Sequence, residues 1–259
     1  MHSTLSRRLL ALALSFSLLL ISCGGISGSI NADRWHYTAL GDSLAVGVLD
    51  TQGGYVARYH SYLRTDANPD VVLTNLGRNG WHSGDLLNAL STDATFRNSI
   101  ASADVITFDI GGNDLLHALN LFRNGRCGGA DNQDCMRSAV ANFVPNWDAI
   151  VREILALREG RRTVIRTMDI YNPFVAQLMV NGTFLTVKTY LDQVNAHIAS
   201  STAANGIPMA RVYEAFNGPN GDQDPVTKGY ISFDGFHASD AGHRVMADLL
   251  RNLGYAPLR

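Results

Sequence analysis

The feature that most constrains the fold is the alternation of short apolar runs with longer segments of helical periodicity, which begins at Trp35. Apolar runs of strand length predict five strands, at Trp35–Leu40, Val71–Leu76, Asp104–Ile110, Thr163–Met168 and Ala210–Tyr213. The segments between and after them predict helices, at Gly54–Arg64, Ser83–Leu90, Asp114–Phe122, Met136–Glu159, Thr183–Ala204 and Ser239–Leu253. Strands that alternate with helices are joined by crossover connections, so we predict a five-stranded parallel sheet in a three-layer α/β/α sandwich.

Polar segments follow several of these predicted strands. Ser43 follows the first run, Gly80 the second and Asn113 the third, and the pair Asp234 and His237 lies in the last loop before the closing helix. In sheets of this kind the site lies beyond the carboxyl ends of the strands. We therefore expect these distant segments to meet at one edge of the sheet.

The side chains in these segments are those of a serine hydrolase. A serine is unreactive at neutral pH unless a neighbouring base takes its proton. Ser43 is the candidate nucleophile, and His237 is the candidate general base and then general acid. Asp234 lies three residues before His237 and is expected to hold the second ring nitrogen. The plainer alternative for Ser43 is a helix cap at a strand-to-helix turn.

Four segments together resemble the conserved blocks of the SGNH hydrolases, also called the GDSL esterase/lipase family. They are Gly41-Asp-Ser-Leu44, Asn75-Leu-Gly-Arg-Asn-Gly80, Gly111-Gly-Asn-Asp114 and Asp234-Gly-Phe-His237, and the resemblance extends over roughly residues 35 to 250. It implies a flavodoxin-like α/β/α fold and ester hydrolysis through a covalent acyl-enzyme.

The resemblance also implies three donors to the oxyanion of the tetrahedral intermediate. They are the backbone N–H groups of Ser43 and Gly80 and the side-chain amide of Asn113. Gly77 lies in the same segment and is the alternative to Gly80. For Asn113 the alternative is a cap on the helix that follows it.

The N-terminal residues predict an export signal. Arg7 and Arg8 precede an apolar run from Leu9 to Ile21, which is too short for a comfortable membrane span. The run ends in Leu-Ile-Ser-Cys23, which resembles the lipobox of bacterial lipoproteins. This resemblance implies cleavage before Cys23 and attachment of a diacylglyceryl group to its sulfur.

These boundaries divide the chain into three parts. Residues 1–22 are the predicted lipoprotein signal peptide, residues 23–33 a flexible tether, and residues 34–259 the hydrolase domain. We expect the mature protein outside the cytoplasm, held on the bacterial membrane by the lipid. An ordinary signal peptide cut near Gly28 is the alternative, and it would make the protein secreted.

Two further cysteines, Cys127 and Cys135, flank a polar loop. In an oxidising compartment we expect them to form a disulfide, with two free thiols as the alternative. A zinc site is disfavoured because no histidine or third cysteine lies nearby. We find no metal-ligand spacing, nucleotide loop or redox motif, so no cofactor is predicted. A net charge of −2 without a basic cluster argues against a nucleic-acid partner.

The substrate follows from the sequence only in outline. We expect a monomeric serine esterase that acts on a small or medium acyl ester of a lipid or an acetylated glycan. A carbohydrate O-deacetylase and an O-acyltransferase are the alternatives, and a glycan-binding module without catalysis is a third. Candidate pocket aromatics are Phe122, Tyr171, Phe174, Phe233 and Phe236, although core packing is the commoner role for such side chains.

Overall fold

A computed structural model describes residues 34–258 of the chain. The predicted signal peptide, Cys23 and the tether lie outside the described residues. The strands form one sheet in the order β2-β1-β3-β4-β5, and every neighbouring pair is parallel. Their bounds are β1 Trp35–Leu40, β2 Val71–Asn75, β3 Val105–Phe108, β4 Val164–Met168 and β5 Met209–Ala210. The predicted five-stranded parallel sheet is confirmed.

Ten helices accompany the strands within residues 34–258. They are α1 Ser43–Val46, α2 Gly54–Asp66, α3 Ser83–Thr92, α4 Ala94–Ser102, α5 Gly112–Arg123, α6 Asp134–Leu157, α7 Val175–Val180, α8 Phe184–Ala204, α9 Val212–Asn217 and α10 Asp240–Asn252. None of the helices in this part of the chain has both the length and the apolar character needed to cross a membrane.

The core lies on both faces of the sheet, as the alternation of side chains along β1 requires. Tyr37 and Ala39 belong to a cluster formed with α2, α9 and α10, whereas Leu40 belongs to a second cluster formed with α3, α4, α6 and α8. Trp147 of α6 is fully buried in the second cluster and contacts Phe108 of β3. Helices on both sides of the sheet complete the predicted three-layer sandwich.

The predicted disulfide between Cys127 and Cys135 is present, with the two Cα atoms 4.7 Å apart. It closes the loop between α5 and α6. Cys127 is buried in a third apolar cluster, which also contains Leu119 of α5 and Met136 of α6. The disulfide therefore ties the loop after α5 to the first turn of α6. Both helices also line the cavity of the candidate active site.

The prediction of a strand at Ala210–Tyr213 is wrong beyond Ala210. The chain turns at Arg211 and forms α9 from Val212, because the buried carboxylate of Asp169 accepts the N–H of Tyr213 at 2.7 Å. An acceptor from a neighbouring strand end gives the helix its start, and the local apolar pattern does not contain that information.

Candidate active site

Ser43 is placed by a tight turn at the carboxyl end of β1. Gly41 has φ of 144°, and a Cβ atom there would overlap Asp109, so the position requires glycine. Asp42 then caps α1, because its Oδ1 accepts the N–H of Leu44 at 2.9 Å. Ser43 is the first residue of α1, and the alternative that it serves as the cap is wrong.

His237 and Asp234 lie in a short loop whose ends are joined by a β-bridge between Ile231 and Ala238. The Asp234 Oδ2 atom is 2.6 Å from Nδ1 of His237. Its Oδ1 atom accepts the backbone N–H groups of Phe236 and His237, each at 3.1 Å. The carboxylate therefore holds both the imidazole ring and the backbone that carries it.

The electrostatics of this pair favour a charged carboxylate. Partial burial acts to raise the pKa of Asp234, but hydrogen bonds from the His237 ring and from two backbone N–H groups outweigh it and hold the pKa below its usual value. An ionised Asp234 accepts the Nδ1 proton of His237. The other ring nitrogen, Nε2, is then the one that can accept a proton.

Three of the predicted site residues line one cavity at the carboxyl edge of the sheet. Ser43, Asn113 and His237 all contribute to its wall. Asp234 lies behind His237, and Gly80 lies outside the lining. The rest of the wall is largely apolar and includes Leu116, Leu119, Met136, Phe174, Val187 and Leu191. The structure thus brings nucleophile, base and amide candidates to one apolar pocket.

The two glycine candidates for the oxyanion site differ in their hydrogen bonds. The N–H of Gly77 is bonded to Oδ1 of Asn75 at 2.9 Å. Among the described residues nothing accepts the N–H of Gly80, whose φ of 78° turns the backbone into the left-handed region. Gly80 therefore has a donor to offer, and Gly77 does not.

Asn113 follows the N-cap of α5, which is Gly111, so the alternative that Asn113 caps this helix is wrong. Its Nδ2 atom donates to the carbonyl of Trp81 at 2.9 Å. The same nitrogen is 3.4 Å from Oδ2 of Asp42, a long hydrogen bond. One amide proton is therefore firmly held, and the other is only weakly engaged.

Of the candidate aromatic residues, three line the cavity and two do not. Tyr171, Phe174 and Phe236 contribute to the wall. Phe122 packs against the cluster around the disulfide, and Phe233 is 91% exposed. The hydroxyl of Tyr171 also donates to the carbonyl of Phe236 at 2.7 Å, which supports the loop of His237. This contact forms because the chain beyond the end of β4 brings Tyr171 to the loop of His237, and no local sequence pattern predicts it.

Asp114 and His82, which lie near the site, make hydrogen bonds that hold helix ends in place. The carboxylate of Asp114 accepts the N–H and hydroxyl of Ser83 at 2.9 and 2.6 Å and joins the starts of α3 and α5. His82 caps α3 with Asp85 and does not line the cavity. No cluster of three or more potential metal ligands occurs among residues 34–258.

His243 of α10 is fully buried and accepts the N–H of Tyr55 on Nδ1 at 3.2 Å. Burial, with a smaller contribution from the charge of Arg58, lowers the pKa of His243 to about 4, against an opposing effect of Asp50. This histidine is therefore neutral in the folded protein and takes no part in the site.

The pKa of His243 predicts acid sensitivity. The unfolded chain binds this proton near the ordinary pKa of about 6.5. The contribution of His243 to the free energy of unfolding is therefore complete above that pH. It is lost as the pH decreases towards 4, by about 3 kcal/mol in total. Urea unfolding of the wild type and of His243→Gln between pH 4 and 7 measures this, and we expect a shallower slope in the variant. Identical slopes would contradict the assignment.

A parallel α/β/α sandwich with these four segments at its carboxyl edge is the fold and site arrangement of the SGNH class. A sequence model of the GDSL-like lipase/acylhydrolase family matches residues 39–245, and the chain belongs to this family. Family membership supports carboxylic-ester hydrolysis as the class of reaction. It does not specify the substrate.

Similar proteins agree with this assignment. The chain is 27% identical over 226 residues to the spore germination lipase LipC of Bacillus licheniformis, which covers 86% of this chain and 97% of LipC. The crystal structure of the lipase Lip_vut3 from a goat rumen metagenome superimposes with a TM-score of 0.69 and 27% identity, over 87% of this chain and 100% of that one.

An acetylxylan esterase, Axe2 from Geobacillus stearothermophilus, has the same fold. Its TM-score is 0.59 at 18% identity, over 85% of this chain and 94% of Axe2. At this identity the likeness concerns the fold alone.

Proposed function

We propose that the protein is a serine esterase that hydrolyses carboxylic esters through an acyl-enzyme intermediate. The observation that carries this proposal is that Ser43 and His237 line one cavity, with Asp234 on the far nitrogen of His237 at 2.6 Å. An acid, an imidazole and a hydroxyl in this relation are the groups of a catalytic triad, which is recognised by geometry and roles.

In the first half of the proposed reaction, Nε2 of His237 takes the hydroxyl proton of Ser43 while the Oγ atom of Ser43 attacks the ester carbonyl carbon. The tetrahedral oxyanion receives hydrogen bonds from the backbone N–H of Ser43 and from the weakly engaged proton of Asn113, which both line the cavity. The resemblance to the family implies the N–H of Gly80 as a third donor, although Gly80 lies outside the cavity lining. Collapse breaks the ester C–O bond, and His237 gives its proton to the departing alcohol. Ser43 now carries the acyl group.

In the second half, water replaces the alcohol. His237 takes one proton from the water as its oxygen attacks the acyl carbonyl. The second tetrahedral intermediate then collapses, the carboxylic acid leaves, and the proton returns to Ser43. Asp234 remains ionised throughout and stabilises the imidazolium formed in each half.

The wall of the cavity supports esters with more than an acetyl group. Leu116 and Leu119 extend along α5 from Asn113, while Val187 and Leu191 of α8 line the same cavity. Each CH₂ group removed from water into such a wall contributes about 0.8 kcal/mol. We therefore propose a medium acyl chain, as in an acylglycerol or lysophospholipid, in preference to acetyl.

A panel of substrates tests this function. We expect kcat/KM for p-nitrophenyl octanoate to exceed that for the acetate by at least about tenfold. Lysophosphatidylcholine and acetylated xylan extend the comparison to natural leaving groups. A preference for acetate and acetylated xylan would favour the O-deacetylase alternative, and acyl transfer to an added sugar would favour the acyltransferase. No turnover of any ester would favour the glycan-binding module.

A substitution within the wall tests the position of the acyl chain. Leu119 lies six residues after Asn113, about 9 Å along α5. Leu119→Phe fills that depth, so octanoate kcat/KM should fall on the order of tenfold while acetate turnover stays within about twofold. Val180→Phe, at a position that is 87% exposed, is the matched control. Equal losses on both esters would contradict this pocket assignment.

We also propose that the mature protein is anchored to the outside of the bacterial membrane through Cys23. The support is the apolar run that ends in Leu-Ile-Ser-Cys23 and the small, polar residues that follow. Cys23→Ser should move the protein from the membrane fraction to the soluble exported fraction in cells that express it. Unchanged membrane association would contradict the lipid anchor.

A further inference from the structure

Two buried carboxyl groups lie in the wall of the cavity that contains the candidate nucleophile. Asp42 is 4% exposed and Asp109 is 3% exposed, and both contribute to the cavity wall next to Ser43. Each carboxyl group shifts the pKa of the other through a side-chain interaction, so the two groups lie in contact. Neither forms an ion pair with a lysine, arginine or histidine among the described residues. A carboxyl–carboxyl contact without a cation requires an explanation, because two carboxylates cannot hydrogen-bond to each other.

The donors around the two groups are unequal. Oδ1 of Asp42 accepts the N–H of Leu44 at 2.9 Å, and its Oδ2 is 3.4 Å from Nδ2 of Asn113. Oδ1 of Asp109 accepts the hydroxyl of Tyr55. The other oxygen, Oδ2 of Asp109, is buried and receives no hydrogen bond from a described residue. Asp42 thus has the surroundings of a carboxylate. Asp109, on which the backbone N–H of Asp42 also acts, keeps one buried oxygen without a hydrogen bond, and this oxygen is satisfied when it donates a proton.

Electrostatics agree with this asymmetry. Burial and the charge of Asp42 raise the pKa of Asp109 well above its usual value. Burial also raises the pKa of Asp42, to about 6, against the effect of its bond from Leu44. The other titratable groups that act on the pair are Tyr37, Tyr55, Tyr171, His237 and Asp114. Of these, only His237 can supply a positive charge.

We infer that Asp109 is protonated at neutral pH and donates this proton from Oδ2 to the carboxylate of Asp42, which makes the pair a positioning element for Ser43 and Asn113. The hydrogen bonds then run from the Tyr55 hydroxyl to Asp109 and from Asp109 to Asp42. Asp42 in turn holds the first turn of α1, which carries Ser43, and lies against the amide of Asn113. Asp109 acts through Asp42, and the catalytic part of this inference rests on the proposed esterase function.

Infrared spectroscopy tests the proton directly. At pH 8 the wild type should show the C=O stretching band of a protonated carboxylic acid, shifted in D₂O and absent from Asp109→Asn. At this pH Asp169 does not contribute, because burial raises its pKa only to about 6. A wild type without the band, or a band that persists in Asp109→Asn, would overturn the inference. This readout does not depend on ester hydrolysis.

Kinetics test the positioning role. In Asp109→Asn the new amide can donate to Asp42 and accept from Tyr55, so kcat should stay within about threefold of the wild type. Asp109→Leu has a similar volume but no donor, and kcat should fall at least about tenfold. Equal losses in both variants would overturn the role. If Asp109→Leu does not fold, Asp42→Asn replaces it, since its amide would place a donor opposite Asp109 and Asn113.

The two proposals fail in different ways. A wild type that hydrolyses no ester removes the esterase function, while the infrared band still decides where the proton lies. An active wild type without the band removes the shared proton and leaves the esterase function intact.

Discussion

Ser43→Ala is expected to lower kcat for p-nitrophenyl octanoate by a factor on the order of 10⁴ to 10⁶, the range found when the nucleophile of a serine hydrolase is removed. The reason is that the acyl-enzyme can no longer form, so that only binding and the oxyanion donors remain. KM should change little, because the apolar wall of the cavity is intact.

The control for this substitution is the same change at an exposed serine. Ser91 lies at the surface of α3, where its hydroxyl donates only to the carbonyl of Leu87. Ser91→Ala should retain wild-type kcat. Substantial activity in Ser43→Ala, measured after a contaminating esterase has been excluded with an independent preparation, would reject Ser43 as the nucleophile.

Asp234→Asn is the second large effect, with an expected loss in kcat on the order of 10⁴. The amide is isosteric with the carboxylate, but its NH₂ group can donate to Nδ1 of His237. The ring proton is then placed on Nε2, which is the nitrogen that has to accept from Ser43. The substitution also removes the negative charge that stabilises the imidazolium.

The matched control is Asp222→Asn, an exposed carboxylate in the loop before the catalytic one. We expect wild-type kcat from this variant, since loss of a surface charge alone changes little. Circular dichroism and thermal unfolding should show that Asp234→Asn is folded. A folded Asp234→Asn with kcat within tenfold of the wild type would contradict the orienting role.

The strands and the long helices were predictable because each carries its own pattern. The apolar run Trp35–Leu40 coincides with β1, and the periodic segment Thr183–Ala204 differs from α8 by one residue. Helices α4, α7 and α9 were not predicted, and α7 and α9 have only six residues each, too few for a periodicity to be recognised. Short elements depend on contacts from elsewhere in the chain.

The residues that carry the proposed chemistry were predictable from the sequence, whereas the buried groups that surround them were not. The segments around Ser43, Asn113 and His237 are local motifs, and a parallel sheet brings them to one edge. Asp109 was not singled out, although a carboxylate inside the apolar run Val105–Ile110 is an unusual feature that could have identified it. Its contact with Asp42 depends on the pairing of β1 with β3, which no local pattern contains.

The most direct test of the account is covalent labelling with an alkyl fluorophosphonate, followed by peptide mass spectrometry. The reagent reacts with a serine that is activated by a base, and its phosphorus then occupies the position of the tetrahedral carbon. We predict one adduct per chain, located on Ser43, with labelling strongly reduced in Asp234→Asn and absent from Ser43→Ala. An unlabelled wild type that is folded, or an adduct on another residue, would contradict the account.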